Sequence, residues 1–206
     1  MDVANDRPIE QYEIKQRYEV LQELGDCNTS VGNYRQAKEY YEMAAQIGPD
    51  EAGPYVGLGV TALQQEQIED AEIAFRVALR LDKKCAKAHA GLAMIAQQNS
   101  DYQTAFDRYL KCLELDPDNM TAILGLFQTS CQIGSFEKII YYLDAYLNMH
   151  PADVSVMFTL ASLYVRQNDL IKAEEILRDI LVLDPENSDA AGLLEEVQRG
   201  LKVNIE

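Results

Sequence analysis

One pair of residues in this chain has the type and spacing for chemistry. Cys85 and His89 stand four apart, so on a helix a thiol and an imidazole share one face. Such a pair is half of a zinc site. Zinc takes three or four ligands, and no second pair completes the set. The chain holds two histidines, His89 and His150, and four cysteines, Cys27, Cys85, Cys112 and Cys131, without a CxxC. His89 falls in a column with Tyr55 and Ile123 and reads as a packed residue. There is no glycine-rich phosphate loop, no HExxH and no GxSxG. No catalytic residue, metal set or cofactor site emerges, and the expectation is a protein that is not an enzyme.

The remaining chemistry is that of surfaces, and those depend on a period. Leu24, Leu58, Leu92, Leu126 and Leu160 stand 34 residues apart. Other columns keep the same step without a gap: Tyr34, Ile68, Tyr102, Phe136, Leu170; then Ala37, Ala71, Ala105, Ile139, Ala173; then Tyr41, Phe75, Tyr109, Leu143, Leu177. Each window closes on Pro49, Lys83, Pro117, Pro151 or Pro185. A 34-residue period marks a helical repeat array. Small residues beside the leucine and in the alanine column let two helices approach to about 8–10 Å. Proline ends each helix pair, because it cannot donate a backbone hydrogen bond and disfavours helix before it.

These columns resemble the tetratricopeptide repeat family, most clearly in Ala105-Phe106-Asp107-Arg108-Tyr109 through Leu115-Asp116-Pro117 and in Ala173 through Leu183-Asp184-Pro185. The resemblance implies an all-α fold: a right-handed α-solenoid of five helix–turn–helix repeats plus a C-terminal capping helix. The repeats are 18–51, 52–85, 86–119, 120–153 and 154–187, read as one array. Residues 1–17 form an N-terminal segment or helix extension, and 188–206 a capping helix and tail with Ser188 as its N-cap. Three departures stand out. Lys83 replaces a proline, which predicts a less sharply broken turn. Phe127 and Ile139 replace small residues in repeat four, which predicts splayed or shifted helices. Asn28 stands where the family has an aromatic.

In this family the first helix of each pair lines a concave groove. Here that surface comprises Val56, Gly57, Val60, Leu63, Lys87, Ala90, Gly91, Met94, Leu124, Gly125, Gln128, Phe158 and Ser162. Family members that grip a C-terminal carboxylate use lysines, asparagines and an arginine. At the matching places stand Gln22, Asp26, Gly57, Lys87 and Gly91, and only Lys87 fits, so no carboxylate clamp is expected. Gly57, Gly91 and Gly125 share one column. Either something approaches the backbone there, or the glycines serve packing between successive first helices. A second surface is Ile140, Tyr141 and Tyr142 on the outside of repeat four. It is exposed if that helix keeps its register, and buried if Ile139 has rotated it.

The chain has 206 residues, 48% of them hydrophobic and 25% charged, with a net charge of −16. That acidity argues against a nucleic-acid partner, since phosphate binding needs a basic surface. No run of about 18 apolar residues suggests a transmembrane span. Widely spaced cysteines and an N-terminus without a basic and apolar leader fit a cytoplasmic protein. The functional expectation is an adaptor or chaperone that holds a protein segment, a peptide or amphipathic helix, in its groove. The alternative is a homo-oligomeric scaffold whose N-terminal segment enters the groove of the next copy.

Overall fold

The computed structural model describes the backbone of residues 7–203 and the side chains of residues 12–202. The described residues form helices joined by short turns: α1 (Arg7–Ser30), α2 (Tyr34–Ile47), α3 (Gly53–Gln64), α4 (Ile68–Leu81), α5 (Ala86–Gln98), α6 (Tyr102–Leu115), α7 (Met120–Ile133), α8 (Glu137–Met149), α9 (Val154–Arg166), α10 (Leu170–Leu183) and α11 (Ser188–Val203). This is the all-α helix–turn–helix solenoid architecture, with α11 after the fifth pair. The helices fall into two compact units, Met1–Asp116 with α1–α6 and Pro117–Glu206 with α7–α11. Of the N-terminal segment, residues 1–6 lie outside the described residues, and 7–17 continue α1 without a break. Among the described residues no helix is long and apolar enough to cross a membrane.

One residue per repeat makes the turn between paired helices. Gly32, Glu66, Ser100, Gly134 and Asn168 have φ between 59° and 79° and stand 34 apart. The amide after each reaches back to a carbonyl five residues earlier, as in Asn33 to Asn28 (2.8 Å), Gln67 to Ala62 (2.9 Å), Asp101 to Ala96 (2.9 Å) and Asp169 to Tyr164 (2.9 Å). That left-handed closure satisfies the orphan carbonyls of the first helix. The second helix then starts on a side-chain cap in two repeats: Asp101 accepts the Thr104 amide at 3.2 Å, and Asp169 accepts the Lys172 amide at 3.4 Å.

Two expectations about helix ends need correction. Lys83 does not soften the turn after repeat two. α4 ends at Leu81, Asp82 turns extended, and the Asp82 carboxylate accepts the Lys84 amide at 2.9 Å while its carbonyl accepts the Cys85 amide at 3.1 Å. An aspartate turn replaces the proline. Nor does Ser188 cap α11. Asn187 does so, its side-chain oxygen accepting the Ala190 amide at 3.0 Å.

The core sits where the columns placed it. Ala37, Ala71, Ala105, Ile139 and Ala173 are fully buried, and Tyr41, Phe75, Tyr109, Leu143 and Leu177 nearly so. The leucine column is uneven. Leu92, Leu126 and Leu160 are core residues, Leu58 is half-buried, and Leu24 is 38% exposed. In repeat four, α7 and α8 touch over a much shorter stretch than α9 and α10 do. There the bulk of Ile139 stands in the column that alanine occupies elsewhere, and Phe127 of α7 is half-buried.

Candidate protein-binding cleft

The first helices of the N-terminal unit line an open cleft of about 430 Å³, walled by Gln22 and Asp26 of α1, Val56, Gly57 and Val60 of α3, and Lys87 of α5. Val60 is 38% exposed, Lys87 is exposed and Val56 is buried, so the cleft has an apolar floor with one base and one acid at its walls. Farther along α5, Met94 is 42% exposed, while Ala90 and Gly91 are buried. Ala90 therefore packs inward and offers no side-chain surface. Leu63 is half-buried on α3.

The buried glycines have a specific cause. A Cβ on Gly57 would meet the Tyr41 ring, and so would one on Gly25. A Cβ on Gly91 would meet the Phe75 ring, as would one on Gly59. Each ring belongs to a second helix and wedges between the two first helices that flank it. The backbone is approached closely, but by an aromatic side chain of the intervening helix. For Gly57 and Gly91 the packing expectation takes a specific form: the close neighbour is the ring of the intervening second helix, shared between successive first helices.

Tyr41 also anchors polar groups that the column reading missed. Its hydroxyl donates to Asp26 Oδ1 at 2.6 Å, with Thr29 Oγ1 at 3.4 Å. Thr29 Oγ1 and Thr61 Oγ1 lie 3.0 Å apart, and each also contacts the carbonyl four residues back in its helix. Burial first, then the Asp26 bond, pushes the Tyr41 phenol well above its ordinary range. The paired threonines are 32 residues apart rather than 34, so an in-phase reading does not align them.

In the C-terminal unit, Leu124 is 54% exposed and Gln128 exposed on α7, with Gly125 buried between them. The Gly125 carbonyl accepts the Thr129 hydroxyl at 2.8 Å. Phe158 and Ser162 are half-buried on α9, and the Ser162 hydroxyl donates to the Phe158 carbonyl at 2.8 Å. The outer surface of repeat four divides between the two readings. Ile140 is 8% exposed and belongs to the core, Tyr142 is half-buried, and only Tyr141 stands out, at 65%. Two adjacent inward isoleucines, 139 and 140, account for this. The Tyr141 and Tyr142 rings meet edge to face at 5.2 Å.

Among the described residues no three His, Cys, Asp or Glu side chains gather to hold an ion. Burial raises the Cys85 thiol and lowers the His89 imidazole, which favours the neutral form of both. His89 Nε2 lies 3.4 Å from the Lys83 carbonyl.

Family models described as tetratricopeptide repeat match this chain over residues 29–95 and 134–197, and over 86–119. The chain belongs to the tetratricopeptide repeat family. That family is generally a non-enzymatic protein-interaction fold. Among similar solved structures of this tetratricopeptide fold is that of Pseudomonas aeruginosa pilF, with a TM-score of 0.71 and 19% identity, covering 92% of this chain and 86% of the other. Another is YrrB, described as a TPR protein with an unusual peptide-binding site, with a TM-score of 0.60 and 17% identity, covering 93% of this chain and 98% of the other. In sequence, the human DnaJ homolog subfamily C member 7 is 22% identical over 194 residues, which is 88% of this chain and 39% of that protein. The chain spans well under half the length of the first curated relatives it matches, 12%, 39% and 16%. The likenesses to solved structures show the fold, and membership of the family makes the chain a protein–protein interaction module.

Proposed function

We propose that this chain is a non-enzymatic adaptor or chaperone that holds an extended peptide or amphipathic helix in the cleft formed by its first helices. The observation that carries the reading is the exposure of Val60 and Met94 above a floor closed by Val56, Gly57, Ala90 and Gly91. Apolar side chains left in solvent beside a packed floor gain contacts when a segment settles on them. Met94 suits varied ligands, being unbranched and polarizable. Gln22, Asp26 and Lys87 provide polar groups at the walls of the cleft that fix register. YrrB's description as a protein with a peptide-binding site supports the same use of the fold. Leu124, Gln128, Phe158 and Ser162 carry the corresponding role in the C-terminal unit. The four cysteines are all free, which supports placement in a reducing cytoplasm.

The test is selection of peptides from a displayed random library with the full chain, followed by fluorescence anisotropy. Selected peptides should lose at least tenfold in affinity for a Val60→Glu, Met94→Glu variant whose circular dichroism melt is unchanged. Equal binding to both proteins places the site elsewhere.

A further inference from the structure

The first helix carries an uncovered face that its counterparts bury. Val20, Leu24, Cys27 and Val31 follow one another at steps of four, three and four, so they line one side of the chain from α1 to its C-terminal turn. Val20, Leu24 and Val31 are 47%, 38% and 64% exposed, and Cys27 is exposed too. In α5, the corresponding face carries Ala88, Leu92 and Ile95, at 0%, 5% and 3%. They pack in one cluster with Ala71, Phe75 and Ala78 of α4. In α9, the equivalents Val156, Leu160 and Leu163 are likewise buried, with α8 packed against that helix. The chain thus shows what covers this face: the second helix of the pair before.

For α1 that cover does not come from its own chain at repeat spacing. A second helix is joined to the next first helix by only four or five residues. The residues that such a helix would use, just before 18, are already part of α1, which runs back to Arg7. At the other end, α11 packs on α10 through the buried Ala190 and Val197, so that face of α10 is occupied within the chain. Charge narrows the occupant further. Glu23 lies one turn from both Val20 and Cys27, Glu13 lies two turns before Val20 with the exposed Arg17 between them, and the whole chain carries −16. Complementary charge steers association and suppresses mismatched partners.

We infer that the Val20–Val31 face of α1 is a docking site for an amphipathic helix of a protein partner, seated as the second helix of a preceding pair. That helix carries small and aromatic residues three or four apart, as Ala71, Phe75 and Ala78 are in α4, and basic residues on its flanks. The site is separate from the cleft, so it stands whether or not the cleft binds peptides.

The probe is a synthetic peptide of residues 68–82, crosslinked on its outer side to hold it helical, and a basic version with Glu69→Lys, Asp70→Lys and Glu72→Lys. Hydrogen exchange of the full chain is read with each. The basic peptide should protect amides 16–31 and bind at least tenfold more tightly than the acidic one. Leu24→Glu should cost at least tenfold, and Val31→Glu serves the same purpose should Leu24→Glu unfold the helix. Met94→Glu should change affinity by less than twofold. Four outcomes overturn the inference: no protection at millimolar peptide, protection of α3 and α5 instead, equal affinity for the two peptides, or protection of α1 that appears with protein concentration alone, which would make the occupant a second copy.

Discussion

The ring of Tyr41 occupies the space that a side chain on Gly57 would need. Glycine in a helix interior is unfavourable by about 1 kcal/mol against alanine. Here that cost is offset by a buried aromatic wedge between two first helices. The substitution Gly57→Ala should therefore destabilise the N-terminal unit by about 1–2 kcal/mol, as overpacking outweighs the gain in helix propensity. Gly192 is the control, since it lies in α11 with nothing within 4 Å of an added Cβ. Gly192→Ala should stabilise by about 0.5–1 kcal/mol. Thermal melts of the two variants should move in opposite directions, and a matching sign would refute the wedge.

Glu66 holds a φ of 59° at a position where Gly32 and Gly134 stand in other repeats. A left-handed conformation costs an ordinary L-residue about 1–2 kcal/mol. Glycine removes that cost but loses more conformational freedom on folding, about 0.5–1 kcal/mol. Glu66→Gly should stabilise by about 0.5 kcal/mol. Asn168→Gly, with the same φ sign, should gain less, because asparagine tolerates this region. Chemical denaturation of both variants measures the difference.

The helix pairs and their core are legible in the sequence because burial repeats in phase. A column of alanines followed four residues later by a column of large apolar side chains fits a repeated helix crossing and little else. The wedge is legible only in part. Gly57, Gly91, Tyr41 and Phe75 each sit in a recognisable column, but a column does not reveal that Tyr41 reaches both its own first helix and the next. The threonine pair is hidden because contacts between neighbouring helices need not keep the 34-residue step. Ile140 follows the second of the two readings of repeat four, and Tyr141 the first. With bulky Ile139 in the alanine column the adjacent position is inward as well, and the sequence alone does not decide between the two readings. At Lys83 the missing proline matters little, because Asp82 supplies the break.

Burial lowers the His89 imidazole below its ordinary range; Arg108 and Lys111 lower it further, against the Lys83 carbonyl and Glu114. The folded protein therefore binds this proton less tightly than the unfolded chain does. Stability from His89 is fully present above the unfolded value of about 6.5 and is lost as pH falls from there through the folded value. Between pH 7.5 and 5.5, the melting temperature of the native protein should drop more than that of His89→Gln. Parallel curves for the two proteins would show that His89 charges without penalty.

The four thiols should separate by rate. Cys27 is exposed, Cys85 and Cys131 are half-buried, and Cys112 is fully buried. Burial pushes the Cys112 thiol up to about 12, helped by Asp116 and Cys85, so almost no thiolate forms at neutral pH. The thiolate is the nucleophile, so reactivity needs both access and ionisation. With a thiol-reactive reagent followed by peptide mass mapping, Cys27 should be modified first and Cys112 only when its unit opens. The rate at Cys112 then reports that opening directly, and Leu92→Asp, which places a carboxylate in the cluster around Phe75, should speed it by at least tenfold. Modification of native Cys112 at the rate of Cys27 would mean that the α5–α6 core is not closed.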